Sequence, residues 1–93
     1  MVVFEYSSQA VDWLEKADNT AREQVLSKAE RVRLRSHEPF YGPSHLLEPY
    51  TNSSYYEISA GQYRLVVDWR KRDDGQDVFF VRRIGHHDDF YSS

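Results

Sequence analysis

The stretch from residue 55 to residue 84 constrains the fold most, because it reads as three strands joined by two tight turns. Residues 55–59 (Tyr-Tyr-Glu-Ile-Ser) are rich in aromatic and β-branched side chains, and Ala60-Gly61 then turns the chain. Residues 62–70 alternate with a period of two. Tyr63, Leu65, Val67 and Trp69 fall on one face, and Arg64, Val66, Asp68 and Arg70 on the other. Asp73-Asp74-Gly75-Gln76 is a hairpin signal, since Asp-Gly accepts the positive φ of a tight turn. Residues 77–84 form the third strand. Both of its faces are largely apolar, which predicts an interior position in the sheet. Gly85 ends it and a short tail follows. Trp13, Trp69 and Phe79 are expected in the core.

Residues 2–6 read as a further strand, and Ser7-Ser8 as the cap of a helix. Ala10, Val11, Trp13, Leu14 and Ala17 recur at helical spacing. Asp18-Asn19-Thr20 interrupts that helix and can cap a second one. Thr20-Ala21-Arg22-Glu23 matches a capping box for this second helix, with Ala21, Val25, Ala29 and Val32 as its buried stripe. This helix continues to about Ser36, and Glu38-Pro39 marks its end. Residues 40–52 hold Gly42, Pro43 and Pro49 and read as an irregular connection, with Leu46-Leu47 tucked into the core. The expected fold is α+β: an N-terminal strand, a two-helix hairpin, then a three-stranded antiparallel meander. The helices cover one face of the sheet and leave the other for a ligand.

At 93 residues the chain is one domain, 1–93. A domain of this size buries roughly 60–65% of its unfolded surface, so its 7 Tyr, 5 Phe and 2 Trp carry much of the core. The absence of cysteine excludes disulfides and zinc–thiolate sites and fits a reducing cytoplasm. Met1-Val2-Val3-Phe4-Glu5-Tyr6 lacks the basic start of a secretory signal, and no apolar run approaches the roughly 20 residues of a membrane span. The formal charge of -3 argues against nucleic acid when taken as a single number. Its distribution argues differently. Arg22, Lys28, Arg31, Arg33 and Arg35 cluster in the second helix, and Arg64, Arg70, Lys71, Arg72, Arg82 and Arg83 in the meander. With a Debye length of about 8 Å at physiological salt, a basic face can operate on an acidic molecule.

Chemistry-bearing residues concentrate near one end of the meander. The turn at Asp74-Gly75 brings Arg64 near residues 83–85. His86-His87 lie just beyond, and Tyr91 four residues later. Convergent Arg, His and Tyr side chains suit cleavage of RNA by its own 2′-hydroxyl. That reaction needs a base, an acid for the leaving 5′-oxygen, and a cation for the charged transition state. Histidine exchanges protons near neutral pH, arginine forks onto phosphate, and tyrosine stacks on a base or orients it. No metal or other cofactor is required. His86-His87-Asp88-Asp89 is a poor metal site, because neighbours in an extended tail point to opposite sides. Taken singly, each residue also has a plain surface or packing reading.

Tyr56-Glu57-Ile58 followed by Gly61-Gln62-Tyr63-Arg64-Leu65-Val66-Val67 resembles a segment of the RelE/ParE toxin superfamily, in which a turn glycine precedes a Tyr-Arg pair and an apolar strand. Ile84-Gly85-His86-His87-Asp88-Asp89-Phe90-Tyr91 resembles that family's closing segment. The helical pair, the irregular loop and Leu46-Leu47 agree with its layout, so the resemblance spans nearly the whole chain.

The resemblance implies a toxin of a type II toxin–antitoxin system, a RelE-like mRNA interferase that is cytoplasmic and acts on mRNA at the ribosome. Its partner would be a cognate antitoxin in a heteromeric complex. By this carry-over the catalytic set is Arg64, Arg83, His86, His87 and Tyr91, with Arg64 on the phosphate and His87 where relatives usually hold an arginine. Arg82, Tyr63, His45 and Glu57 are candidate substrate-binding residues. Where RelE enzymes place lysines before the turn, this chain has Glu57 and Ser59, so the base falls to Glu57, His45 or His86. The same resemblance admits a ParE-like inhibitor of DNA gyrase that acts by binding, and an inactive relic that only binds its antitoxin.

Overall fold

The computed structural model describes residues 2–36, 47–50 and 54–91. His45 and Leu46 lie outside these residues. The elements run β1 (Val3–Tyr6), α1 (Ser8–Lys16), α2 (Asn19–Arg35), β2 (Glu48–Pro49), β3 (Tyr56–Ala60), β4 (Tyr63–Lys71), β5 (Asp77–His86) and α3 (His87–Tyr91). The α+β class and the antiparallel meander β3-β4-β5 are as expected. The sheet is larger than the meander, with five strands in the order β1-β5-β4-β3-β2. β1 adds in parallel to the free edge of β5, so β5 is interior, which accounts for its two apolar faces. Glu48 and Pro49 form a two-residue edge strand on β3 inside the stretch read as irregular. So short a pairing leaves no periodic signature.

Alternation on β4 sets the two faces. Leu65 and Val67 are buried against Ile58, Phe79, Val81 and Ile84, and Ala10, Val25 and Val32 of the helices join the same core. Leu47 is buried there too. On β1, Phe4 packs edge-on against Phe79, with ring centroids 5.6 Å apart. The other face of the sheet carries Arg64, Val66, Asp68 and Arg70 of β4 and Glu57 of β3. We call it the open face. Trp69 corrects one expectation: it follows the core alternation but sits at the rim, 37% exposed, with its indole N–H donating to Asp77 Oδ1 at 2.9 Å.

Two polar devices fix the frame. Asp18, not Thr20, caps α2, its carboxylate accepting from the Ala21 backbone N–H at 2.8 Å. A carboxylate at this position also complements the helix dipole, and Thr20 is already inside the helix. Arg22 then folds back to donate to the carbonyls of Leu14 and Ala17, both at 2.8 Å, closing the C-terminal end of α1. Arg22, counted above among the basic cluster, is thus a corner lock. At the far end of α2, Ser36 is 4% exposed. Its hydroxyl accepts from Val2 N–H at 2.9 Å and donates to the Arg33 carbonyl at 2.5 Å, tying β1 to the helix end.

The C-terminal segment differs from the expected strand end and tail. β5 continues through Gly85 to His86, and residues 87–91 form a short helix. Among the described residues, no helix is long and apolar enough to cross a membrane.

Candidate RNA-binding face

The open face is organised by an irregularity in β5. Val66 pairs with Arg83 but Val67 pairs with Val81, so Arg82 is the extra residue of a β-bulge. Strict alternation would separate Arg82 from Arg83. The bulge lets Val81 and Ile84 both face the core while the two arginines between them stay exposed. Ser7 holds the bulge in place. Its N–H donates to Val81 O at 2.9 Å and its hydroxyl to Arg82 O at 2.6 Å, while the same oxygen accepts from Ala10 N–H as the cap of α1.

Each arginine lies over an aromatic ring. The Arg82 guanidinium carbon is 4.8 Å from the ring centroid of Tyr55, and that of Arg83 is 4.5 Å from that of Phe90. Such contacts hold a cation in place without removing its charge. Tyr50 meets Phe90 edge-on at 6.4 Å, and its N–H donates to Tyr55 O at 3.0 Å. Gln9, Tyr50, Tyr55, Val66, Arg82 and Arg83 line a cleft of about 250 Å³.

Arg64 occupies the same face, paired in register with Gly85. Its guanidinium donates to the carbonyls of Gly61 at 2.6 Å and Tyr63 at 2.8 Å. Gly61 starts the β3–β4 turn with φ +63, and a side chain there would collide with Gln24 of α2. Glu57 lies across from Val66 on β3, which completes a lateral row of Glu48, Glu57, Val66 and Arg83.

The remaining predicted site residues separate. Tyr63 and His86 are register partners on the helix side of the sheet, with rings 5.9 Å apart, and Trp13 of α1 packs on Tyr63. His86 Nε2 is 3.3 Å from Gln62 Oε1, and its Nδ1 accepts from Asp88 N–H at 3.2 Å. His87 opens α3. Its N–H donates to Gln62 O at 2.7 Å, which docks it beside the start of β4, and its Nδ1 is 3.4 Å from Asp88 Oδ1. The backbone of Tyr91 closes α3. The sheet therefore gathers Arg64, Arg82, Arg83 and Glu57 on one face and puts Tyr63 and His86 on the other.

Tyr50, Tyr55 and Phe90 were absent from the predicted set. A signal for the bulge does exist: in Val81-Arg82-Arg83-Ile84, two apolar residues three apart bracket two arginines, which a regular strand does not accommodate. Elsewhere, Tyr6 on β1 has its phenol pushed above the usual 10, by burial first and by the charge of Glu30 second. Glu30 is held below the usual carboxylate range by its hydrogen bond from Arg33.

No family model and no curated protein matches the chain. Solved structures do. The toxin–antitoxin complex RelBE2 of Mycobacterium tuberculosis matches with a TM-score of 0.66 at 18% identity, covering 91% of this chain and 96% of that one. The intact RelBE toxin–antitoxin complex of E. coli gives 0.59 at 25% identity, over 92% and 96% of the two chains. The isolated E. coli RelE toxin gives 0.57 at 20% identity, over 92% and 84%. The fold is that of the RelE toxins, as the sequence resemblance implied.

Proposed function

We propose that the chain is the toxin of a type II toxin–antitoxin pair, held in check by a cognate antitoxin in the cytoplasm. In this reading it is a metal-independent endoribonuclease that cuts mRNA on the ribosome. The observation that carries it is the gathering of Arg64, Arg82 and Arg83 on one face of a chain of net negative charge, with aromatic rings under Arg82 and Arg83. Fixed guanidinium groups match phosphate, and aromatic faces match unstacked bases.

In the proposed reaction the 2′-oxygen attacks the adjacent phosphorus and the bond to the 5′-oxygen breaks. The products are a 2′,3′-cyclic phosphate and a 5′-hydroxyl. Arg64 and Arg83 neutralise the charge that builds on the phosphate oxygens. To do so, the Arg64 guanidinium exchanges its two turn carbonyls for the phosphate. His87 acts as general acid or base, held near Arg64 by its backbone bond to Gln62, and Tyr91 orients the nucleotide. His86 and Tyr63 support His87 and the strand end from behind.

A second reading, a gyrase inhibitor that acts by binding, draws on two features: Arg64 is already bonded to its own turn, and His86 faces away from it. Incubation of the purified protein with ribosome-bound mRNA, followed by analysis of the fragment ends, separates the two. Fragments ending in 2′,3′-cyclic phosphate are expected. Intact mRNA together with inhibited gyrase supercoiling would replace the ribonuclease reading with the second one. Intact mRNA and unaffected gyrase would leave a relic that binds only antitoxin.

A further inference from the structure

The catalytic proposal uses Arg64, Arg83, His87 and Tyr91, which leaves the cleft on the other side of Arg83 unexplained. Its walls are two tyrosines and two exposed arginines, and its floor is Val66, 6% exposed. Its volume of about 250 Å³ lies just under the roughly 300 Å³ at which sites for drug-sized ligands begin. One planar group fits; a folded peptide segment does not.

We infer that this cleft is a nucleotide subsite that takes one base of single-stranded RNA next to the scissile phosphate. The inference rests on the ribonuclease reading and adds to it the place where a flanking base is held. Three features carry it. The bulge puts two consecutive arginines on one face, and both stay exposed with each guanidinium over its own ring. Tyr50, joined to Tyr55 through its backbone N–H, adds a second aromatic residue to the lining, with its ring edge-on to Phe90. Gln9, at the start of α1, brings to the rim a carboxamide that both donates and accepts, suited to a base edge.

Charge decides between RNA and the other anionic occupant, an acidic peptide. Along the row from Arg83 through Val66, the next positions are Glu57 and then Glu48. A chain of carboxylates laid across the cleft would place negative charge against both glutamates. A nucleotide directs its phosphate to the arginines and its neutral base toward the glutamates.

The test is binding of a tetranucleotide RNA, made uncleavable by a 2′-deoxy sugar at the scissile position, to the purified protein. Wild type, Tyr55→Leu and Arg82→Gln are compared, with a glutamate tetrapeptide as competitor and thermal unfolding as the check on folding. Tyr55→Leu is expected to weaken RNA binding about 5- to 150-fold, the effect of losing one base–aromatic stack. Arg82→Gln, an exposed change, is expected to reduce the salt dependence by about 0.7 in the slope of log affinity against log salt. RNA affinity unchanged in both variants would overturn the subsite, as would a peptide that competes as well as RNA. Cleavage of ribosome-bound mRNA by the wild type would then still uphold the ribonuclease reading, so the two claims fail separately.

Discussion

A β-carbon on Gly85 would stand 3.2 Å from Phe90 Cε2 and 3.4 Å from Asp89 Oδ2, so the bare strand position is what admits the α3 ring against the sheet. Phe90 is in turn the ring over which Arg83 lies. Gly85→Ala is therefore expected to act on function more than on stability. An alanine in a strand gains about 0.5–1 kcal/mol over glycine, which offsets most of the cost of moving a half-buried ring by a few tenths of an ångström. Thermal unfolding should shift by less than about 5 °C, corresponding to under about 1 kcal/mol, while growth arrest on expression is reduced. A large loss of stability would show that the Gly85 contact serves the fold.

Ser7→Ala tests the anchor of the bulge. One hydroxyl caps α1 and holds the Arg82 carbonyl. Loss of an N-cap costs about 0.5–2 kcal/mol, and the freed bulge carbonyl places the expected value toward the upper end. Urea unfolding should show a lower midpoint with an unchanged slope.

Ser36→Ala removes the buried acceptor for Val2 N–H. An orphaned buried donor costs about 1–3 kcal/mol. For a domain of this size, each kcal/mol corresponds to about 4–8 °C in melting temperature. Because Ser36 is remote from the open face, RNA cleavage measured well below the melting point should be unchanged.

Tyr6 predicts a pH dependence. Burial, with Glu30 adding to it, favours the neutral phenol in the folded state and raises its pKa above the unfolded value. The corresponding stability is fully present below about pH 10 and is lost as pH rises through the folded pKa. Tyr6→Phe lacks this proton, so its urea midpoint should fall less than that of the wild type between pH 8 and pH 11. Parallel loss in both proteins would contradict the assignment.

Much of the frame was legible because it follows from local periodicity. The alternation of Tyr63, Leu65, Val67 and Trp69, the Asp74-Gly75 turn, and the stripe of Ala21, Val25, Ala29 and Val32 each specify an element without reference to the rest of the chain. What was missed depends on contacts between distant segments. The parallel pairing of β1 with β5, the two-residue strand at Glu48–Pro49 and the seating of Phe90 on Gly85 have no periodic signal. The candidate site shows the same division. Arg64 and Arg83 were read onto one end of the sheet and lie on its open face, because hairpin register is local. Tyr55 and Tyr50 carry no such local signal: the ring of Tyr55 meets Arg82 only through the bulge, and that of Tyr50 meets Phe90 across the fold. His86 was grouped with Arg64 from proximity along the chain, but Gly85 is the register partner of Arg64, and the next residue points to the opposite face.

Primer extension on cellular mRNA after induced expression without antitoxin tests the central claim most directly. Wild type is compared with the Arg64→Ala/His87→Ala double variant, once both are shown to be folded. The account predicts growth arrest with discrete new 5′ ends from the wild type and neither from the double variant. Arrest with intact mRNA, or the same ends from both proteins, would contradict it.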